Sequence, residues 1–196
     1  GEPLEEAQRI ETAPLTLADF RNRLNLQVEI APLGSADLDR LIHLGETVTE
    51  FNFTGEAFTA ARLEQQIASG EREFLSVQVC DRFGDYGVAG AVALAATDDL
   101  LGIDAFLLNC RILGRDVEWI VLDRVCGIAR ERGLRRIRLR YRATSRNHIA
   151  KDFIGHFAPE ARIEGVEAFD AELEVETFAA RVSARGHHAG AIRSAP

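Results

Sequence analysis

The stretch that most limits how this chain can fold is Leu101 to Asn109, LGIDAFLLN. It has the length of a strand and is almost wholly apolar, so it reads as a central strand buried on both faces of a layered α/β domain. The chain then turns through Cys110 to Asp116 and enters a long helical pattern, Val117 to Arg132, stopped by Gly133. A buried strand feeding a helix through a tight turn leaves the first helical N–H groups without intrahelical partners. The helix dipole adds to them, and the turn becomes a place for an anion.

The flanking segments supply the rest of a sheet. A short helix reads over Leu15 to Leu24, followed by a strand from Leu26 to Ala31 that ends at Pro32. Ser35 offers an N-cap to a helix with Leu38, Leu41, Ile42 and Leu44 on one face, and Thr59 caps another through Leu63 and Ile67 to Gly70. Phe74 to Cys80 and Val88 to Ala96, joined across Arg82 to Gly87, form an antiparallel hairpin, and Asp98 and Asp99 make the next turn. Ile137 to Tyr141 is the following strand and Asn147 to Phe157 a short helix. Ala161 to Gly165 and Ala171 to Val175 are a last extended pair. Residues 1–14 read as a linker and 184–196 as a flexible tail, which leaves one domain over 15–183.

Composition removes several classes of function. With 196 residues and 46% apolar content the chain fills one core rather than two. A net charge of −8 argues against nucleic acid or an anionic membrane as the partner. No apolar run approaches the roughly 18–20 residues that cross a bilayer. Cys80, Cys110 and Cys126 show no CxxC spacing, so neither a disulfide framework nor a metal site is expected, and a reducing cytoplasm fits. The chain contains no methionine, so Gly1 is read as a cleavage remnant or an internal boundary and the chain as an excised domain.

The order of elements resembles the GNAT (Gcn5-related N-acetyltransferase) fold, a mixed, mostly antiparallel central sheet flanked by helices. In GNAT proteins the turn before the long helix carries an R/Q-x-x-G-x-G/A pattern that cradles the pyrophosphate of coenzyme A or the phosphate of a phosphopantetheine arm. Arg111, Ile112, Leu113, Gly114, Arg115 and Asp116 are similar to it, with Val117 opening the helix; Arg111 and Gly114 match and Asp116 does not. A carboxylate at 116 adds negative charge beside a bound phosphate, or Asp116 is simply the helix N-cap. Arg115 offsets that charge if its guanidinium reaches the ligand. The second GNAT pattern, N-x-x-A-x-x-F-Y, is matched by Asn147, Ala150 and Phe153. Ile154 stands where many acetyltransferases carry the tyrosine that reprotonates the departing thiolate.

Three strings narrow the resemblance. DRFGDYG at Asp81 to Gly87 with VAGAV after it, CRILGRDVE at Cys110 to Glu118, and YRATSRN at Tyr141 to Asn147 resemble the C-terminal, acyltransferase-like half of FkbH proteins; EFNFT at Glu50 to Thr54 is a fainter match. The resemblance implies an acyl- or glyceryl-handling domain that works with an acyl carrier protein in polyketide-type biosynthesis, beside a HAD-type phosphatase domain. The DxDxT motif of that phosphatase is not in this chain. Implied site residues are Cys110 as an acyl-carrying nucleophile, His148 as a base, and Asp81, which belongs to the family string. Arg111, Leu113, Gly114, Arg115, Asp116, Val117, Arg146 and Asn147 are placed around the carrier's phosphate. No cofactor is held tightly; coenzyme A or the phosphopantetheine of a carrier brings the acyl group.

Each of these has a plainer reading beside it. Cys110 at a strand end could be a small core filler, although Arg111 and Arg115 nearby favour a nucleophilic thiolate. His156 is a second possible base. Phe153 and Phe157, four apart, read as core, and Asp85 as a turn former. Arg136, Arg138, Arg140 and Arg142 alternate with Ile137, Leu139 and Tyr141, so they share one strand face. Either they pair with acidic residues of 160–176, or part of the stripe meets an acidic carrier protein. The alternatives to carrier-linked transfer are an acyl-CoA-dependent N-acyltransferase and a non-catalytic carrier-binding module.

Overall fold

The computed structural model describes residues 25–159, 165 and 167–185, and the backbone of 192–193. Along the chain these are β1 (Gln27–Pro32), a 3-10 turn at Ser35–Asp37, α1 (Leu38–Thr47), α2 (Ala60–Ser69), β2 (Glu73–Asp81), β3 (Gly84–Thr97) and β4 (Leu100–Leu108). A 3-10 turn at Cys110–Ile112 follows, then α3 (Val117–Glu131), β5 (Arg136–Arg142), α4 (His148–Ile154), β6 (Ala168–Glu174), α5 (Val175–Arg185) and β7 (Ile192–Arg193). The strands form one sheet in the order β6-β5-β4-β3-β2-β1-β7. Only β4 with β5 and β1 with β7 run parallel.

β4 is buried at every residue, Asp104 included, as its almost wholly apolar pattern predicts. On one face it belongs to a core that also takes in Val121, Leu122 and Val125 of α3, Ile154 of α4 and Phe178 of α5. On the other, Ala105 and Leu107 meet Leu41 and Leu44 of α1 and Leu63 of α2. The sheet is therefore covered on both sides. None of the described helices is long and apolar enough to cross a membrane.

The two central strands do not stay together. β4 and β5 pair only from Leu100↔Arg136 to Ile103↔Leu139. Ala93 faces Ala105 and Leu94 faces Ile103, so Asp104 is an extra residue, a bulge directly after the last parallel pair. A bulge bends its strand, and beyond it β4 and β5 part. The opening is filled by Phe51, Asn52 and Phe53, which approach β4 in antiparallel sense through Asn52↔Leu107. Phe53 N–H donates to Phe106 C=O at 3.0 Å, Leu108 N–H to Phe51 C=O at 3.1 Å and Arg142 N–H to Phe53 C=O at 2.9 Å.

Several sequence expectations shift. Thr59 and Gly70 cap α2 as read, with the Thr59 side chain accepting from Arg62 N–H. Gln66, however, is buried in that helix and Ile67 is exposed. Ser35 lies inside a 3-10 turn and caps nothing with its side chain. The β2–β3 connection is only Arg82 and Phe83, because Asp81 and Gly84 still pair. Asp81 Oδ1 makes so short a turn possible by accepting from Phe83 N–H and Gly84 N–H at 2.8 and 3.1 Å. α4 ends at Ile154, three residues before the expected end. α5 was not anticipated, and the end of the expected last strand, Val175, is its first residue. Residues 184–185, in the expected tail, finish α5, and 192–193 pair with β1. The Leu15–Leu24 helix and, apart from Gly165, the Ala161–Gly165 strand lie outside the described residues.

Where β3 crosses the end of β4, side chains are squeezed out. A Cβ at Gly90 would lie 2.3 Å from Leu108 Cδ2 and 2.7 Å from Leu107 C=O. Gly90→Ala should cost about 2 kcal/mol, the scale of overpacking a filled core. Equilibrium urea unfolding should register this as a lower midpoint with an unchanged slope.

Candidate functional site

Because β4 and β5 are parallel, their C-terminal ends share one edge of the sheet, and the loops that leave them form a mouth there. From β4 comes 109–116. Asn109 Oδ1 accepts from Arg111 N–H at 2.9 Å, closing the 3-10 turn, and leaves Cys110 and Arg111 exposed. Leu113 packs against the core beneath and Val117 is fully buried. Gly114 and Asp116 both have left-handed backbones, with φ of 75° and 60°. Glycine takes that conformation freely, and aspartate is among the few other residues that tolerate it. Asp116 is the N-cap of α3 by position, but its side chain makes no capping bond. A carboxylate does serve the loop: buried Glu118 reaches back, and its Oε1 accepts from Gly114 N–H at 3.4 Å.

The β2–β3 hairpin tip braces this loop from the side. Arg115 Nη1 donates to Asp81 Oδ2 at 2.6 Å and to Tyr86 Oη at 3.2 Å, and Tyr86 O–H donates to Asp81 Oδ2 at 3.1 Å. The guanidiniums of Arg111 and Arg115 lie 5.4 and 5.2 Å from the centre of the Tyr86 ring. Burial pushes the Asp81 carboxyl upward, but donors from Phe83, Tyr86, Arg115 and Gly84 together outweigh it and hold the group below its ordinary value. With every lone pair committed, Asp81 is a scaffold for Arg115 rather than a proton acceptor. Asp85 accepts from Gly87 N–H, the turn role expected of it.

From β5 comes 143–147, where Arg146 is exposed and Asn147 is not; His148, exposed, opens α4. Asn147 is fully buried: its amide donates to Asn52 C=O and Arg142 C=O at 2.9 and 2.8 Å and accepts from Thr144 N–H at 2.8 Å. It is spent on tying the Phe51–Phe53 segment to β5, which leaves it no donor for a carrier's phosphate. His148 and Cys110 share no hydrogen bond; the thiol lies 3.8 Å from Asn109 Oδ1. His156 packs its ring against Trp119 and Phe153. Ile154 is wholly buried in the core. Cys126 is sealed inside α3, where burial, with Asp123 adding to it, pushes its thiol up to about 12. Of the three cysteines only Cys110 is exposed.

The arginine stripe of β5 is largely neutralised. Arg136 pairs with Asp99 and Glu172, Arg138 with Asp104, and Arg140 with Asp170 and Asp104. Asp170 and Glu172 come from the acidic segment expected to supply partners, while Asp99 and Asp104 were not foreseen. Arg142, at the end of the stripe, makes no ion pair with any described residue, and neither do Arg111 and Arg146. All three lie at or just beyond the C-terminal ends of β4 and β5. Sequence reasoning singled out Arg111 and Arg146, named Arg142 only as one member of the stripe, and missed the roles of Glu118 and Asn52. No group of three or more described His, Cys, Asp or Glu side chains is arranged to hold a metal.

No family model matches the chain, and no curated protein matches it in sequence. Solved structures match it in three dimensions. Spermidine N-acetyltransferase from Vibrio cholerae, in complex with CoA and spermine, superposes with a TM-score of 0.55 at 12% identity over 78% of this chain and 98% of that one. A GNAT-family acetyltransferase from Staphylococcus aureus Mu50 gives 0.54 at 11% identity, covering 76% and 99%. The PaiA N-acetyltransferase from Thermoplasma acidophilum, in complex with coenzyme A, gives 0.51 at 16%, covering 76% and 99%. The fold is the GNAT fold. Within it, Cys110, Arg111, Gly114 and Asp116 lie on the loop that leaves β4, and Arg142 and Arg146 lie at and after the end of β5, at the same edge of the sheet.

The Asp81 network carries a pH signature. Its folded-state value lies below the ordinary 3.8, so the stability it contributes is complete above that value and is lost as pH falls through the lower folded one. Asp81→Asn should therefore lower stability at neutral pH and flatten the acid limb of the stability curve below about pH 4, measured by thermal unfolding across pH.

Proposed function

We propose that this domain performs acyl transfer from a thioester whose carrier ends in a phosphate, coenzyme A or the phosphopantetheine arm of a carrier protein, received at the β4/β5 mouth. The observation that carries this reading is the position of the unpaired arginines. Arg136, Arg138 and Arg140 are matched by carboxylates, whereas Arg111, Arg142 and Arg146, at or just beyond the C-terminal ends of β4 and β5, pair with no described carboxylate. Guanidinium groups and free helical N–H groups are the donors a phosphate takes. The backbone at Gly114 and Asp116 suits such a loop, while the Asp116 and Glu118 carboxylates favour a singly bridged phosphate over a diphosphate.

Cys110 is the group placed to take the acyl unit. It is exposed at the rim, next to Arg111. In the step we propose, the Cys110 thiolate attacks the thioester carbonyl carbon, a new C–S bond forms, and the carrier's C–S bond breaks. The carrier leaves as a thiolate and takes up the proton that Cys110 gave. Arg111 and Arg146 hold the carrier's phosphate, and the rim excludes no water, so the acyl unit is held briefly before a second thiol collects it. This chemistry fits an acyl-handling partner of a carrier protein, and the FkbH-like strings support the same reading, with a HAD-type phosphatase as the second enzyme.

A second reading, an acyl-CoA-dependent N-acyltransferase, is supported by the fold shared with CoA-bound N-acetyltransferases. Intact-mass spectrometry separates the two. After incubation with acetyl-CoA or an acyl-loaded carrier protein, the chain should gain one acyl mass that is labile to hydroxylamine, and Cys110→Ser should abolish the gain. An acyl gain that survives Cys110→Ser, or none with either donor, would sink the Cys110 assignment.

A further inference from the structure

The Phe51–Phe53 segment is unusual for a loop, because it lies inside the sheet rather than over it. Four consecutive carbonyls are engaged. Glu50 C=O accepts from Ala150 N–H at 3.2 Å, Phe51 C=O from Leu108 N–H, Asn52 C=O from the Asn147 amide, and Phe53 C=O from Arg142 N–H. The Asn52 side chain fixes both ends of the turn, donating to Val48 C=O at 3.2 Å and accepting from Gly55 N–H at 2.9 Å. Phe51 and Phe53 are 1% and 0% exposed. Their rings stand 5.2 and 5.1 Å from that of Phe106, and Phe51 lies 5.2 Å from Phe153, whose ring in turn contacts Trp119 at 4.7 Å.

A gating loop is recognised by few apolar contacts and exposed hydrogen bonds, which places it at the low end of local stability. This segment has the opposite character on both counts. We infer that Phe51–Phe53 is a permanent internal strand that seals the β4/β5 opening. An acyl group brought to the mouth then stays on the Cys110 side, and amines approaching from the α1/α2 face are not acceptors. The inference rests on the acyl-transfer reading above and adds its specificity: thiols reached at the rim accept, and amines across the sheet do not. Phe51, Asn52, Phe53 and Asn147 are the residues that set it. The face behind the seal fits this, because there the buried Asp104 carboxylate is held by Arg72, Arg138 and Arg140 at 3.5, 3.1 and 3.7 Å rather than turned toward an incoming amine.

Native-state amide exchange of the whole chain, followed against denaturant with and without coenzyme A, tests the seal without relying on any variant. The amides of Phe53, Leu108 and Arg142 should exchange only through global unfolding, in both conditions. Exchange through an opening about 100-fold more populated than the unfolded state would overturn the inference, and so would faster exchange at Phe53 on adding coenzyme A. A second arm reads the acceptor: spermidine and a lysine peptide should gain no acyl group from acetyl-CoA, whereas their acylation by the unaltered chain, with or without dependence on Cys110, would overturn it. The two readings fail separately. Loss of Cys110 acylation with the three amides still globally protected sinks only the proposed transfer, and a sub-global opening with Cys110 still acylated sinks only the seal.

Discussion

Everything in this structure follows from the parting of two parallel strands. β4 and β5 pair for four residues, the Asp104 bulge bends β4 away, and the backbone groups beyond it need partners in a place that water does not reach. An orphaned buried N–H or C=O costs about 1–3 kcal/mol, so an open gap is not a tolerable resting state. The chain closes it with its own Phe51–Phe53. That closure fixes the aromatic core shared by β4, α3 and α4, and it fixes where the two loops at the mouth can go.

The division of charge follows from the same geometry. Along β5 the arginines that lie beside β6 and β4 find carboxylates, because neighbouring strands bring Glu172, Asp170 and Asp104 opposite them. At the end of β5 the β6 residue opposite Arg142 is Ala168, which has no carboxylate to offer. Among the described residues no carboxylate pairs with Arg142 and Arg146 at and after the end of β5, or with Arg111 after β4. An overall acidic chain thus presents local cations at the edge where α3 begins. Their placement is a product of sheet topology and not of net charge.

How much of this the sequence discloses depends on the range of the interaction. β4 and α3 are legible because burial on both faces and the helical period are local patterns, and Thr59 and Gly70 mark their helix for the same reason. Asn109 to Val117 is likewise found from local rules, although the positive φ at Asp116 appears only in the structure. The plug is not legible: Asn52 pairs with Leu107 and Asn147 across long loops, and EFNFT has no period that would announce it. Asn147, read as a ligand-facing residue from its motif, turns out to be committed to that plug. The stripe reads correctly as one face, but which arginines end up paired depends on strand order, which composition does not encode. The tight hairpin turn was read too long because Asp81 replaces, with side-chain acceptance, the backbone bonds a longer turn would need.

The account stands or falls on the mouth as the place where the thioester carrier's phosphate docks. A ¹⁵N-resolved titration of the chain with coenzyme A or 4′-phosphopantetheine measures this directly. The account predicts that the largest shift changes fall on residues 110–117 and 142–148, with the β1–β2 surface around Gln27, Gln78 and Cys80 unmoved. Changes centred on that surface, or spread without preference over the sheet, would contradict it.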